Sequence, residues 1–309
     1  MDRIFMEVYY MNITKELINE FEKELVKKEK SPATVEKYVR DVEAFSDYAV
    51  YDIPPKPCLA ESGIADESEN RHVTVTVTKQ TVIAYKAYLT EHYAARSVNS
   101  MLASLNAFFT FTGNTELKVK SLKLQHEIFC PEEKELTKAE YLRLVNTAEK
   151  SNKRLSLIIQ TICGTGIRVS ELQYITVEAV KHGEADVNCK GKTRTVFIVK
   201  ELKRKLLKYI NERKIKTGSV FVTKNGRPVS RSNIWREMKA ICKAANVNPS
   251  KVFPHNLRHL FARVFYAIEK DIAKLADILG HSSINTTRIY IVSTGDEHRR
   301  RMEKMKLVI

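Results

Sequence analysis

Between Phe253 and Tyr290 the chain sets His255, Arg258, His259, His281 and Tyr290 among otherwise apolar residues at helical spacing. These residue types suit phosphodiester chemistry. Imidazoles and a guanidinium can hold a phosphate and manage its protons, while a nearby tyrosine hydroxyl can attack it and remain as a covalent ester. From His255 the spacing to Arg258 is i,i+3 and to His259 i,i+4, so a helix brings all three to one face. The bland alternatives are a helix start with solvated His and Arg, and a tyrosine that packs, since Tyr290 is one of 13 tyrosines.

The elements that must position these groups are legible nearby. Gly280 ends a helix predicted over 272–279, His281 follows in the turn, and Ser283 starts a further helix that carries Tyr290. Upstream, Gly164 and Gly166 mark a turn that places Arg168 at the start of a helix whose Val169 and Leu172 face the core. An arginine there opposes the helix macrodipole and suits a waiting anion. The stretch matches neither GxGxxG nor GxxxxGK[ST], so nucleotide binding is not indicated.

Helical periodicity runs through most of the rest. Leu17, Ile18, Phe21 and Leu25 form one stripe and Val35, Tyr38, Val39, Val42 and Phe45 a second, with Ser31-Pro32 between them as N-cap and first helical residue. Two more helices are predicted near 81–92 and 97–112, and the alternation Val73-Thr74-Val75-Thr76-Val77 predicts a short strand. Thr137 and Glu140 have capping-box spacing ahead of helices near 137–150 and 152–163. Two β-prone runs flank Lys190-Gly191-Lys192 as a hairpin. The predicted organisation is a helical domain over 1–120, a linker over 121–136 and a second domain over 137–309.

Charge separates the two parts. Residues 137–309 hold 35 Lys/Arg against 15 Asp/Glu, a balance of +20, whereas residues 1–136 hold 17 against 22, or −5. A domain so basic attracts a polyanion with strong salt dependence, and nucleic acid is the expected partner. No apolar run reaches the roughly 18 residues that span a bilayer, and the N-terminus lacks a leader-like apolar stretch, so a cytoplasmic location without membrane contact is expected. The five cysteines are far apart and lack metal-ligand spacing, which predicts reduced thiols and no metal.

GTGIRVSEL, the hairpin CKGKTR, HNLRH and LGHSSINTTRIY follow in this order, and together they resemble the signature of the tyrosine site-specific recombinases, the phage-integrase and Xer-type family. SPATVEKYVRDVEAF and VNSMLASLNAFFTF are similar to the family's core-binding half. The resemblance implies a mainly α fold with a small β-hairpin or sheet, arranged as a two-domain C-shaped DNA clamp. A SAM-like helical core-binding domain would be joined to a mixed, mostly helical catalytic domain.

By the same resemblance, Arg168 is the first family arginine, Lys190 the hairpin lysine with Lys192 as its rival, His255 and Arg258 the HxxR pair, His281 the next histidine and Tyr290 the nucleophile. Tyr290 would form a 3′-phosphotyrosyl bond and release a 5′-hydroxyl, needing neither ATP nor another cofactor. Arg168 and Arg258 would hold the non-bridging oxygens with help from His281, and Lys190 would protonate the leaving oxygen. His255 is the candidate base for a hydroxyl whose ordinary pKa is ~10. Glu171 and His259 read as supporting residues outside the catalytic set.

The implied partner is double-stranded DNA with paired inverted-repeat core sites, bound by a homotetramer or a heterotetramer with a paralogue, the free protein being a monomer or weak oligomer. Arg194 and Lys200, with Lys203, Arg204 and Lys205, either meet phosphates or are simply solvated. Arg227, Arg231, Asn233 and Arg236 surround Trp235 in a loop feeding a helix that can reach the backbone or a groove. The acidic first part departs from the family pattern, with Glu61, Asp66, Glu67 and Glu69 in one stretch. A non-recombining DNA-binding regulator is the competing reading, though it has no need of all six catalytic types. A type IB topoisomerase is another, less compatible with the paired domains.

Overall fold

The computed structural model describes residues 10–51, 75–124, 135–189, 192–290 and 302–305. Lys190 and the acidic stretch around Glu67 lie outside the described residues. The chain divides into two compact units, Met1–His126 and Glu127–Ile309.

In the first unit, strand β1 (Tyr10–Ile13) pairs antiparallel with β2 (Val75–Thr78), Met11 facing Val77. The alternation thus marks a strand, but its partner carries no such pattern. Met11, Ile13 and Val77 are buried, so one face of the ribbon closes the core of four helices. Helix α1 (Lys15–Lys27) is capped by Thr14, whose hydroxyl accepts from Leu17 N, and buries Ile18, Phe21 and Leu25. It packs on α2 (Pro32–Tyr51), α3 (Lys79–His92) follows β2 directly, and α4 (Ala95–Phe111) buries Leu102, Leu105, Phe108 and Phe109. Asp41 of α2 is buried and takes Lys37 Nζ at 2.6 Å and Ser104 Oγ at 2.8 Å, which ties α2 to α4.

The chain leaving α4 is pinned although it has little regular structure. Asn106 pairs with both backbone groups of Val119 at 2.9 and 3.0 Å, and Asn99 does the same for Leu122 at 3.0 and 2.7 Å. Two helical turns separate the asparagines, so both project from one side of α4.

The second unit opens on α5 (Lys138–Ser151), where the Thr137–Glu140 capping box forms as its spacing predicts. Next comes α6 (Lys153–Thr165), whose Leu155, Leu157, Ile158, Ile159 and Ile162 are buried around most of its circumference. It ends at Gly166 with φ 66°, a left-handed conformation, and a Cβ at Gly166 would stand 2.5 Å from Phe261 Cδ1. Glycine is required there on both counts. The helix expected after Arg168 is instead a 3₁₀ turn over Val169–Tyr174, followed by α7 (Val177–His182). Leu172 is buried as expected; an i,i+3 pair satisfies either winding.

Strands β3 (Glu184–Cys189) and β4 (Lys192–Phe197) form the expected hairpin, with Val187 opposite Arg194. Helices α8 (Lys200–Arg213), α9 (Arg231–Ala240), α10 (Pro254–Glu269), α11 (Ile272–Leu279) and α12 (Ile284–Arg288) follow. Tyr290 lies two residues past α12 rather than within it, held by its backbone N–H to Thr287 O at 2.9 Å. Cys163 and Cys242 are free thiols, and burial pushes the Cys163 thiol up to about 12. Among the described residues no helix is long and apolar enough to cross a membrane.

Candidate active site

The first turns of α10 carry His255, Arg258 and His259, and the α11–α12 segment curls back over them. Arg258 is 1% exposed, yet it carries a charge, so its surroundings must supply acceptors. Nη1 donates to Gly166 O at 2.5 Å, and Nη2 donates to Leu279 O at 2.6 Å and to His281 Nε2 at 2.9 Å. Both carbonyls lie at helix ends, where the last C=O groups lack intrahelical partners. Burial first, then the charge of Arg168, lowers the Arg258 guanidinium to about 10, still positive at neutral pH.

A guanidinium only donates, so His281 Nε2 accepts and the ring proton is assigned to Nδ1, which donates to Thr287 Oγ1 at 2.8 Å. Burial, then Arg258, Arg168 and Arg194, push this imidazole down to about 4, in keeping with a neutral ring.

Tyr290 is 6% exposed and stands among three imidazoles. Its hydroxyl is 3.5 Å from His255 Nε2, its ring stacks on His259 with centroids 4.2 Å apart, and the His281 centroid is 5.2 Å away. His255 is lowered by burial first and then by Arg258, Arg168 and Arg231, which leaves it able to accept a proton. His259 is lowered further, to about 3, by burial and then His255, Arg263 and Arg258.

Arg168 enters from the 3₁₀ turn and is 35% exposed. Its Nη1 donates to Glu171 Oε1 at 2.8 Å, its backbone N–H to Glu171 Oε2 at 2.9 Å, and its Nη2 to Gly280 O at 3.3 Å. Glu171 is 2% exposed; burial pushes its carboxyl up, but the hydrogen bonds from Arg168 and the charges of Arg194 and Arg168 outweigh it and hold it below the usual range. A groove of about 900 Å³ opens beside these groups, with Arg168, Ser170, Arg231, Trp235, His255 and Arg258 on its walls.

Five of the six expected catalytic residues therefore converge, and Lys190 lies outside the described residues. Of the expected DNA contacts, Lys200, Arg227, Arg231 and Arg236 are exposed, and Asn233 is half-buried and accepts from Arg236 Nη2. Arg194 differs. It is 13% exposed, and its guanidinium is turned inward onto Glu171 rather than outward to solvent. Its β-strand parity carried that information, since Val196 and Ile198 share its side and are buried. Thr287 escaped sequence reasoning entirely; a fully buried hydroxyl three residues before Tyr290 had no signal beyond its helical spacing. Among the described residues no group of three or more His, Cys, Asp or Glu is placed to hold a metal ion.

The family model for the phage integrase family matches residues 134–297, which takes in every site residue above. The chain belongs to the phage integrase family. It is 30% identical over 225 residues to tyrosine recombinase XerA of Pyrococcus furiosus, covering 70% of this chain and 76% of that one. Against tyrosine recombinase XerA of Thermococcus kodakarensis it is 28% identical over 308 residues, covering 96% and 98%. Its fold is also that of a lambda integrase dimer bound to a COC′ core site, with TM-score 0.65, 19% identity and coverage of 91% and 77%. This integrase-family chain is a tyrosine site-specific recombinase, an enzyme that cuts and rejoins DNA.

Proposed function

We propose that Tyr290 is the nucleophile of this recombinase and that Arg168, Arg258, His281, His255 and Lys190 complete its active site. The observation that carries the assignment is the Tyr290 hydroxyl 3.5 Å from His255 Nε2, beside a neutral histidine bonded to Arg258. The Tyr290 oxygen bonds to phosphorus while the P–O5′ bond breaks; His255 receives the phenolic proton and Lys190 protonates the departing 5′-oxygen. A 5′-hydroxyl then reverses the step on a new strand. The ester conserves the bond energy, so no ATP is consumed. Arg168 and Arg258 offset the charge that gathers on the non-bridging oxygens.

The substrate in this proposal is duplex DNA with paired inverted-repeat core sites, held by four copies of the chain or by two with two of a paralogue. Residues 1–120 serve as the core-binding domain, 121–136 as linker and 137–309 as catalytic domain. Exposed Arg227, Arg231 and Arg236, with Lys200 and Asn233, are the DNA contacts assigned on this reading.

Nicked suicide duplexes built from the DNA flanking the gene test the assignment. The wild-type chain should form a covalent adduct in the presence of EDTA, and Tyr290→Phe should form none. An undiminished adduct from Tyr290→Phe moves the nucleophile elsewhere.

A further inference from the structure

A third arginine reaches the underside of the site from the hairpin. Arg194 stands on β4, where its Nη2 donates to Glu171 Oε2 at 2.6 Å and its Nη1 to Ile278 O at 2.9 Å. The first bond reaches the carboxylate that holds Arg168. The second reaches the last turn of α11, two residues before the Gly280–His281 turn. A Cβ at Gly280 would stand 2.5 Å from Arg194 Cδ and 2.7 Å from Nε, so the side chain passes directly against that turn. Three segments distant in sequence therefore meet at one guanidinium: the hairpin, the 3₁₀ turn after Arg168, and the end of α11.

A phosphate contact needs donors that are open to the ligand. Arg194 spends both terminal nitrogens on acceptors within the fold, one of them a carboxylate 2% exposed. Swinging it out to DNA would leave Glu171 with Arg168 alone and remove the packing beneath Gly280. The charge-assisted fork is suited to fixing geometry, because its two bonds constrain direction as well as distance.

We propose that Arg194 is a positioning residue for strand cleavage: by clamping Glu171 and the Ile278 carbonyl it holds Arg168 and His281 at the scissile phosphate. The inference rests on the assignment of Arg168 and His281 as phosphate-holding groups. It predicts a defect in the charge-handling part of the reaction, with no loss of DNA affinity and no fault in protonation of the leaving group.

The experiment compares single-turnover cleavage by wild type, Arg194→Ala and Arg194→Lys on three substrates: ordinary DNA, DNA with a methylphosphonate at the scissile position, and DNA with sulfur as the bridging 5′-atom. The methyl group removes a non-bridging charge, and the sulfur leaves without needing a proton. Arg194→Ala should cleave ordinary DNA up to about 100-fold more slowly, recover on the methylphosphonate, and stay slow on the sulfur substrate. Arg194→Lys, which keeps the charge but not the fork, should fall between. DNA affinity should keep the wild-type salt slope, whereas loss of one phosphate contact would lower it by about 0.9.

Wild-type cleavage by Arg194→Ala, recovery on sulfur, or a reduced salt slope with normal cleavage of bound DNA each overturns the proposal. If Arg194→Ala does not melt cooperatively, Arg194→Lys is judged by the same three ratios. Failure of the wild-type chain itself to form an adduct overturns the active-site assignment instead, so the two outcomes are separable.

Discussion

His259 stacks on Tyr290 with ring centroids 4.2 Å apart and planes 23° apart. A half-buried imidazole in this place acts as a flat wall: it packs on the tyrosine ring while His255 approaches the hydroxyl from the same helix. Its low pKa, about 3, keeps it neutral, so it adds no charge beneath the tyrosine ring. His259→Ala should slow adduct formation by about tenfold or more, and His259→Phe, which keeps the wall, should retain most of the rate. Equal loss in both variants would assign His259 a polar role instead.

The pH dependence of cleavage has a definite sign. His255 accepts a proton only when neutral, and its pKa lies below the ordinary 6.5. The acid limb of the single-turnover rate should therefore be centred below pH 6.5. His255→Ala should remove that limb, and a limb that persists unchanged in His255→Ala would exclude His255 as the base.

Stability follows the same histidines. His281 at about 4 and His259 at about 3 both lie below the 6.5 of an unfolded chain. The unfolded chain therefore binds protons that the folded one refuses, and stability rises with pH. The contribution is complete above 6.5 and is lost as pH falls toward 4 and then 3. The Tm should drop across that window, with a shallower slope in His259→Phe; an unchanged slope would show that His259 does not titrate there.

Glu171→Gln keeps the shape of the shared acceptor and removes its charge. Breaking a fully buried ion pair costs about 3–5 kcal/mol, and the partial exposure of Arg168 argues for a smaller loss, about 2–3 kcal/mol, read as a denaturant midpoint shift at constant m-value. Cleavage should fall with it, since Arg168 loses the group that aims it. A variant as stable and as active as wild type would reduce Glu171 to a bystander.

Gly280→Ala and Gly226→Ala form a matched pair. Both glycines have positive φ, 64° and 74°, so each substitution carries backbone strain of about 1–2 kcal/mol. Only Gly280 faces Arg194; nothing lies within 4 Å of a Cβ at Gly226. Cleavage should drop in Gly280→Ala and remain in Gly226→Ala at matched fractions folded. Similar cleavage rates in both would show that the turn tolerates displacement.

Local patterns made much of this molecule legible. HNLRH could only share a helix face, Gly280 could only end α11, and Thr137 with Glu140 announced α5. What escaped depends on contacts between distant segments. β1 has no alternation of its own and becomes a strand by pairing with β2. Val169 and Leu172 sit three apart, which does not distinguish an α turn from the 3₁₀ turn that forms. Arg194 looked like one more surface charge because a run of basic residues follows it, and its inward parity matters only once Glu171 is known to lie beneath β4. Tyr290 shows a similar limit: helical spacing placed it on α12, whereas the helix ends at Arg288 and a turn delivers the ring.

Thr287 joins two parts of the site through a single residue. Its hydroxyl holds His281 Nδ1 at 2.8 Å, and its carbonyl holds the Tyr290 backbone N–H at 2.9 Å. The Tyr290 ring is thus kept in step with the His281 imidazole by a tether of ten residues in one stretch of polypeptide, His281 to Tyr290. On the proposed assignment each protomer should cut with its own tyrosine, and mixtures of Tyr290→Phe and Arg258→Ala chains should not complement one another; recovery of adduct in such a mixture would show cleavage in trans.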